Sequence, residues 1–380
     1  MIPFNKPFLT GKEVQYINKA NNLGQISGDG FFTKECQKWL EKNTSAKLAL
    51  LTNSCTAALE IAAILADIKK GDEIIMPSYT FVSTANAFTL RGGKPIFADI
   101  NPFTMNIDFN EIEKLINERT KAIVPVHYAG FGCDMDQISK IAKKYNLLVI
   151  EDAAQAVLSE YKGKALGSIG DLGCYSFHET KNIIAGEGGA LLVNNERFIE
   201  RAQYIREKGT NRTLFNKGLI DKYTWVDIGS SFLPGELTAA FLLAQMEQAK
   251  IITKERVEIC NYYYKGFKEI SDEGLVSVPL SLKSNMHNGH MFYLIHPSAK
   301  QRDLFIEKMR EKGVMVVFHY IPLHNSPYAM KNFNTKSLKL PITESLYKRI
   351  SRIPVWIGVD KEYVLKSAIE SLYEIKKTYK

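Results

Sequence analysis

A lysine and a carboxylate stand out by what surrounds them. Lys181 lies in Ser176-Phe177-His178-Glu179-Thr180-Lys181-Asn182, just ahead of the glycine-rich run Gly186-Glu187-Gly188-Gly189. Asp152 closes the apolar run Leu147-Leu148-Val149-Ile150-Glu151-Asp152 and is followed by Ala153-Ala154-Gln155. A carboxylate at the tip of a buried strand and a lysine on a nearby loop are what pyridoxal phosphate (PLP) chemistry needs. The lysine forms a Schiff base with the cofactor, and the carboxylate keeps the pyridinium nitrogen protonated. Taken alone, a lysine is a solvated charge and an aspartate in this place is a helix N-cap. The pair, with Gln155 placed to meet the cofactor's ring hydroxyl, favours the chemical reading. Burial would favour the neutral, nucleophilic form of Lys181, and its freed amine could carry a proton between substrate carbon and cofactor.

A phosphate needs its own cup. Ser54-Cys55-Thr56-Ala57-Ala58 is a polar turn that opens a helix directly after a strand, and helix N-termini hold phosphate through free N–H groups and the dipole. The same residues also read as an ordinary cap. Ser176, five residues before Lys181, would complete the cup. Phe81, in Tyr79-Thr80-Phe81-Val82, is either core or a ring that stacks on the pyridine. Histidines 127, 178, 290, 319 and 324 form no HxxxH pair and have no cysteine partner set, which argues against zinc. No Walker loop occurs, and no GxGxxG follows a strand.

The elements that must position these groups alternate. Strands are expected at Leu48–Thr52, Glu73–Met76, Pro95–Asp99, Ala122–Val126, Leu147–Asp152, Asp171–Phe177 and Gly189–Val193. Helices are expected between them, at Thr56–Ala66, Ala85–Leu90, Phe109–Ile116 and Met135–Tyr145. Such alternation indicates an α/β fold with a mostly parallel central sheet, and strands apolar on both faces require helices on both sides. Ligands then bind at the carboxyl ends of the strands. Asn53–Thr56, Pro77–Phe81, His127–Gly130 and Asp152 all fall there. Beyond residue 245 a long helical stretch, about Met246 to Ile270, leads into a smaller α+β unit. It holds His290–Ile295, the helix Lys300–Glu311, the apolar run Val314–Tyr320 and a closing helix near Lys361–Lys377. The expected domains are 1–245 and 246–380.

Composition sets limits. The 380 residues are 45% hydrophobic and 24% charged, with a net charge of +8. The densest positive run, Lys376-Lys377-Thr378-Tyr379-Lys380, reads as a solvated helix end rather than a nucleic-acid patch, so no nucleic-acid partner is expected. A diffuse positive surface suits a small anionic substrate. Five cysteines without a CxxC pair indicate free thiols in a reducing compartment. No signal segment is evident, and no apolar run reaches the roughly 18 residues of a membrane span. A cytoplasmic enzyme is expected.

With these pieces in order, the chain resembles the DegT/DnrJ/EryC1/StrS sugar-nucleotide aminotransferases, within the aspartate-aminotransferase-like (type I PLP) fold. The residues that carry the likeness include Gly28-Asp29-Gly30, Pro77–Phe81, Pro125–Gly130, Glu151–Gln155, Ser176–Asn182 and Gly186–Gly189. The runs Ser83–Phe88, Arg206–Arg212, Asp221–Trp225 and Phe318–His324 narrow it further. The resemblance implies amino transfer from L-glutamate to the C4 ketone of dTDP-4-dehydro-6-deoxy-D-glucose, in surface-polysaccharide synthesis. Reaction at C3, or delivery of the other C4 configuration, is the neighbouring reading. An idle regulatory member is a third, opposed by the intact Lys181, Asp152 and Gln155. It gives Lys181 the Schiff-base role, Asp152 the pyridine nitrogen, Gln155 the ring oxygen, Phe81 the stacking position, and Thr56, Ala57 and Ser176 the phosphate. It also implies a homodimer with shared active sites. Many members carry Gly-Tyr-Asn-Tyr-Arg, whose Asn reaches the partner's phosphate; here Gly229-Ser230-Ser231-Phe232-Leu233 puts the shorter Ser231 there. For the substrate's diphosphate, Lys208 and Arg212 are candidates, with His324 nearby; the loop that carries them could equally be plain surface. His319 and Tyr320 are further substrate candidates. No metal is expected.

Overall fold

The computed structural model describes residues 1–279 and 285–379. Seven strands form the central sheet: β1 (Leu48–Thr52), β2 (Glu73–Pro77), β3 (Lys94–Ala98), β4 (Thr120–Ile123), β5 (Leu148–Asp152), β8 (Leu172–Ser176) and β9 (Gly189–Val193), with the short pair β6 (Glu160–Tyr161) and β7 (Lys164–Ala165) between β5 and β8. Their order is β1-β9-β8-β5-β4-β2-β3. The pairs from β3 through β8 are parallel, whereas β9 runs antiparallel to both β1 and β8. β8 and β9 are joined by a helix-free loop, and a parallel crossover needs a longer, usually helical, connection.

Alternation along each strand feeds two cores. Leu51, Ile75, Val149 and Leu192 enter one apolar cluster, and Leu50, Ile74, Ile150 and Leu191 enter the other. Helices Cys55–Leu65 and Ile199–Arg206 cover the second face; Phe31–Thr44, Met135–Tyr145 and Glu236–Glu247 cover the first. Each strand expected from the sequence is present, with ends shifted by a few residues. β4 stops at Ile123, although the Val124 N–H still donates to the Ile75 carbonyl and Pro125 has no N–H to continue the ladder.

The smaller unit packs β11 (Phe292–Ile295) antiparallel to β12 (Ile350–Ile353) under helices Ala249–Gly266, Ala299–Glu311 and Lys361–Thr378. β10 (Asn285–Met286) pairs with β6 of the large unit. One expectation is corrected here. The helical stretch from Met246 is interrupted at Gln248, whose backbone leaves the helical well, and at Phe267, where one helix ends and the short helix Lys268–Asp272 begins. The boundary at 245 falls inside helix Glu236–Glu247. Val314–Tyr320 is a connection, bridging Ile2 at Val314 and Arg352 at Val317. Of the basic C-terminal run, Lys380 lies outside the described residues. No helix among the described residues is long and apolar enough to cross a membrane.

Candidate active site

Asp152 ends β5 and is 6% exposed. No helix follows it, so it caps none. Its Oδ2 instead accepts a 2.7 Å hydrogen bond from Thr84 Oγ1, and its Oδ1 accepts one from the Ala154 N–H at 3.2 Å. Thr84 is steadied by Thr80, hydroxyl to hydroxyl at 2.8 Å. Ser176 ends the neighbouring β8. The loop beyond it folds back through bonds from the Phe177 N–H to Gly188 O, the Glu179 N–H to Gly186 O and the Ala185 N–H to Phe177 O. This places Lys181 over the same cavity as Asp152.

The phosphate end is built by helix Cys55–Leu65. Ser54 caps it, its Oγ accepting the Ala57 N–H at 3.0 Å. The Ala57 N–H, expected on the phosphate, is therefore already engaged. The Cys55 and Thr56 N–H groups make no hydrogen bond among the described residues and stand at the positive end of the helix dipole. Thr56 Oγ1 donates to Ser83 Oγ at 2.8 Å. Gly189 is needed beneath this turn: a Cβ there would lie 2.4 Å from the Cys55 nitrogen.

The ring end is aromatic. Phe81 is 55% exposed, lines the cavity and lies 6.1 Å from the Tyr320 ring, so it is not core. Gln155 Oε1 accepts the Ala129 N–H at 2.6 Å and its Nε2 donates to Tyr320 Oη at 3.0 Å, leaving one amide proton for a ring oxygen. His319 stacks on Tyr320 at 3.6 Å and shares a 2.7 Å hydrogen bond with Tyr128 Oη.

Some candidates lie elsewhere. Lys208 and Arg212 are exposed, both facing Glu207, and do not line the cavity. Ser231 is exposed and bridges to Glu207. His324 is buried between Ser78 Oγ (2.6 Å) and Glu344, where it fixes a connection rather than meeting solvent. His127, fully buried, bonds Glu151 at 2.8 Å, and Glu151 also accepts the Gly167, Ile169 and Gly170 N–H groups. Among the described residues, no cluster of His, Cys, Asp or Glu could hold a metal.

Thr84, Arg256 and Arg352, which carried no signal in the sequence, line this cavity of about 660 Å³, as does His290. Burial pulls the Lys181 ammonium below the usual lysine range; the Cys55 thiol and Asp152 act the other way, and Arg352 adds to the lowering. Burial also keeps His290 and His319 well below the usual histidine range, hence neutral. The Lys181 N–H donates to the His178 carbonyl at 2.9 Å, whereas its Nζ makes no hydrogen bond or ion pair among the described residues. An unpartnered, half-buried amine, a hydrogen-bonded carboxylate, free N–H groups at a helix start and a flanking aromatic fit PLP.

This fold and this site define a PLP-dependent aminotransferase. The DegT/DnrJ/EryC1/StrS aminotransferase family matches residues 7–370, and the chain belongs to it. It is 32% identical to GDP-perosamine synthase of Escherichia coli O157:H7, over 96% of each chain. Among solved structures, Helicobacter pylori PseC, an aminotransferase involved in the biosynthesis of pseudoaminic acid, superposes with a TM-score of 0.88 at 28% identity, covering 99% of each chain. NtdA of Bacillus subtilis, solved with bound cofactor PMP, gives 0.86 at 27% identity, covering 97% of this chain and 83% of its own. PLP is the cofactor, and the chain is a sugar aminotransferase.

Proposed function

We propose that the protein transfers the amino group of L-glutamate to the C4 ketone of dTDP-4-dehydro-6-deoxy-D-glucose, giving dTDP-4-amino-4,6-dideoxy-D-galactose for surface-polysaccharide synthesis. The observation that carries the chemistry is a Lys181 amine without a partner lining the same cavity as a hydrogen-bonded Asp152. Bound PLP supplies an electron sink that stabilises negative charge on the substrate carbon. Asp152, its carboxylate held by Thr84, keeps the pyridine nitrogen protonated. Gln155 orients the ring oxygen, Phe81 covers a ring face, and Thr56 and Ser176 hold the phosphate with the helix N-terminus. Lys181 anchors the cofactor and, once released, moves the proton at the reacting carbon.

Two units, one to about residue 247 and one beyond it, frame the site. The exposed apolar stretch Tyr223, Trp225, Val226 and Ile228 supports a homodimer with Ser231, Lys208 and Arg212 turned toward the partner's site. Five free, buried cysteines suit a cytoplasmic location. A GDP-linked keto sugar is the second reading, favoured by the similarity to GDP-perosamine synthase.

The test is an absorbance spectrum of the PLP-loaded protein, taken after L-glutamate and then after each keto sugar. The band of the lysine-bound cofactor should disappear with glutamate and return with the dTDP sugar. Return with the GDP sugar alone would replace the proposed substrate. Product NMR then fixes the carbon and configuration of the new amine.

A further inference from the structure

His290 lines the cavity together with Lys181 and is 9% exposed. Its ring is oriented by Asn182, the residue after Lys181. The Asn182 side-chain nitrogen donates to the Asn288 carbonyl at 2.8 Å, and a carbonyl can only accept, so Asn182 Oδ1 is the atom that meets His290 Nδ1 at 3.1 Å. An amide oxygen is likewise only an acceptor, which puts the ring proton on Nδ1. Burial, with the charges of Lys181, Arg256 and Arg352, keeps the imidazole neutral. Nε2 is therefore a bare lone pair, and it makes no hydrogen bond among the described residues. The backbone that carries the ring is fixed as well. The His290 N–H donates to Asn288 Oδ1 at 3.0 Å, and buried Arg256 donates from Nε and Nη2 to the Gly289 and His290 carbonyls. Gly289 has a φ of +64°, and a Cβ there would lie 2.7 Å from the Arg256 carbonyl carbon. The ring is thus held at its backbone and at one nitrogen, with the other nitrogen left for a ligand.

A bare imidazole nitrogen takes a hydrogen-bond donor and nothing else. Lys181 Nζ makes no hydrogen bond among the described residues, so the lone pair is not engaged by the lysine. Of the two substrates, L-glutamate brings carboxylates, which only accept, and an amine that is given up in the transfer. The keto sugar brings hydroxyls. Its C4 must reach the place of the Lys181 amine. Of the two carbons beside C4, only C3 carries a hydroxyl; C5 carries the methyl group and the ring oxygen. We propose that His290 Nε2 accepts a hydrogen bond from the sugar hydroxyl next to the ketone, and so selects a 3-hydroxy sugar over a 3-deoxy one. A sugar without that hydroxyl leaves a buried acceptor unmet, which is how a polar site rejects a deoxy analogue. The proposal rests on the sugar-transamination reading above and names a residue that recognises the sugar.

The test measures kcat/KM of the PLP-loaded protein for dTDP-4-dehydro-6-deoxy-D-glucose and for its 3-deoxy analogue, with L-glutamate as donor. If only the GDP-linked keto sugar is accepted, the same pair is compared in GDP form. Wild type should prefer the hydroxylated sugar about 10- to 100-fold, the loss expected when a buried acceptor is left unmet. In His290→Phe the preference should shrink to within about threefold, because only the hydroxylated sugar loses a partner. His290→Gln, which can offer an amide oxygen near the Nε2 position, should restore part of it. The ratio compares two sugars on one preparation, so the folded fraction of a variant does not enter it. The band change with L-glutamate alone should need the same concentration in all three proteins, within about threefold. Nitrogen NMR of ring-labelled histidine gives a reading independent of turnover: the signals missing in His290→Gln should be those of a protonated Nδ1 and a bare Nε2. A protonated Nε2, or an equal loss on both sugars in His290→Phe, overturns the proposal and leaves the transaminase reading standing. If the band of wild type returns with neither nucleotide's keto sugar, that reading fails and the proposal with it.

Discussion

At the scale of single residues, Lys181→Met separates chemistry from stability. Transamination should fall by about 10³-fold or more, since the proton carrier at the reacting carbon is gone, while PLP is retained non-covalently; steady-state rates and the absorbance spectrum check both. The stability effect has the opposite sign. The folded pKa of Lys181 is lowered, so at neutral pH folding without cofactor confines a charge that burial disfavours. Between that lowered value and the ordinary lysine pKa the unfolded chain binds the extra proton, so stability rises with pH. Cofactor-free wild type should therefore gain stability through that window. Lys181→Met should lack the rise and be the more stable protein at pH 7, as denaturant titration across pH would show. Thr84→Val removes the donor to Asp152. With a hydrogen bond to a charged acceptor at about 1.5–3 kcal/mol, the melting temperature should fall by a few degrees and turnover should drop about tenfold. If turnover stayed at the wild-type level, Thr84 would be a packing residue only.

At the scale of elements, the helix Phe31–Thr44 depends on one carboxylate from a distant segment. Glu236, 1% exposed, accepts the Gly30, Phe32 and Thr33 N–H groups and the Thr33 hydroxyl. Glu236→Ala should destabilise the protein by about 3 kcal/mol, because several buried donors lose their acceptor together; the midpoint of urea unfolding measures it. Contacts of this kind explain what could be read in the sequence. β5 and β8 were legible because apolar runs buried on both faces leave a local pattern; Asp152 was legible because it ends such a run, and Lys181 because it lies on the loop after one, ahead of Gly186–Gly189. The direction of β9 was not, since parallel and antiparallel strands in a covered sheet carry the same pattern. Thr84 and Arg352 carried no local signal: a threonine in a helix and an arginine in a strand are ordinary until the fold sets them beside Asp152 and Phe318. His324 misled for the same reason, its partner Ser78 being 246 positions away.

At the scale of the whole molecule, Trp225 is 79% exposed amid other exposed apolar residues. Trp225→Asp should shift the protein toward monomer in sedimentation and lower PLP retention, if a second copy completes the site. A wild-type protein already monomeric at micromolar concentration would exclude the shared site. The cavity also gathers residues from distant parts of the chain. Phe4 and Asn5 line it together with Arg352, Ile353 and Val355, and Ile2 and Pro3 are fastened to Val314 and Trp356. Synthesis delivers Phe4 first and Arg352 nearly last, so a growing polypeptide can shape the sheet around Lys181 long before the cavity has its final wall. Cofactor capture in the finished cavity is thus an event that follows translation, and a ribosome-bound chain truncated ahead of β12 exposes its lysine without the pocket that tunes it.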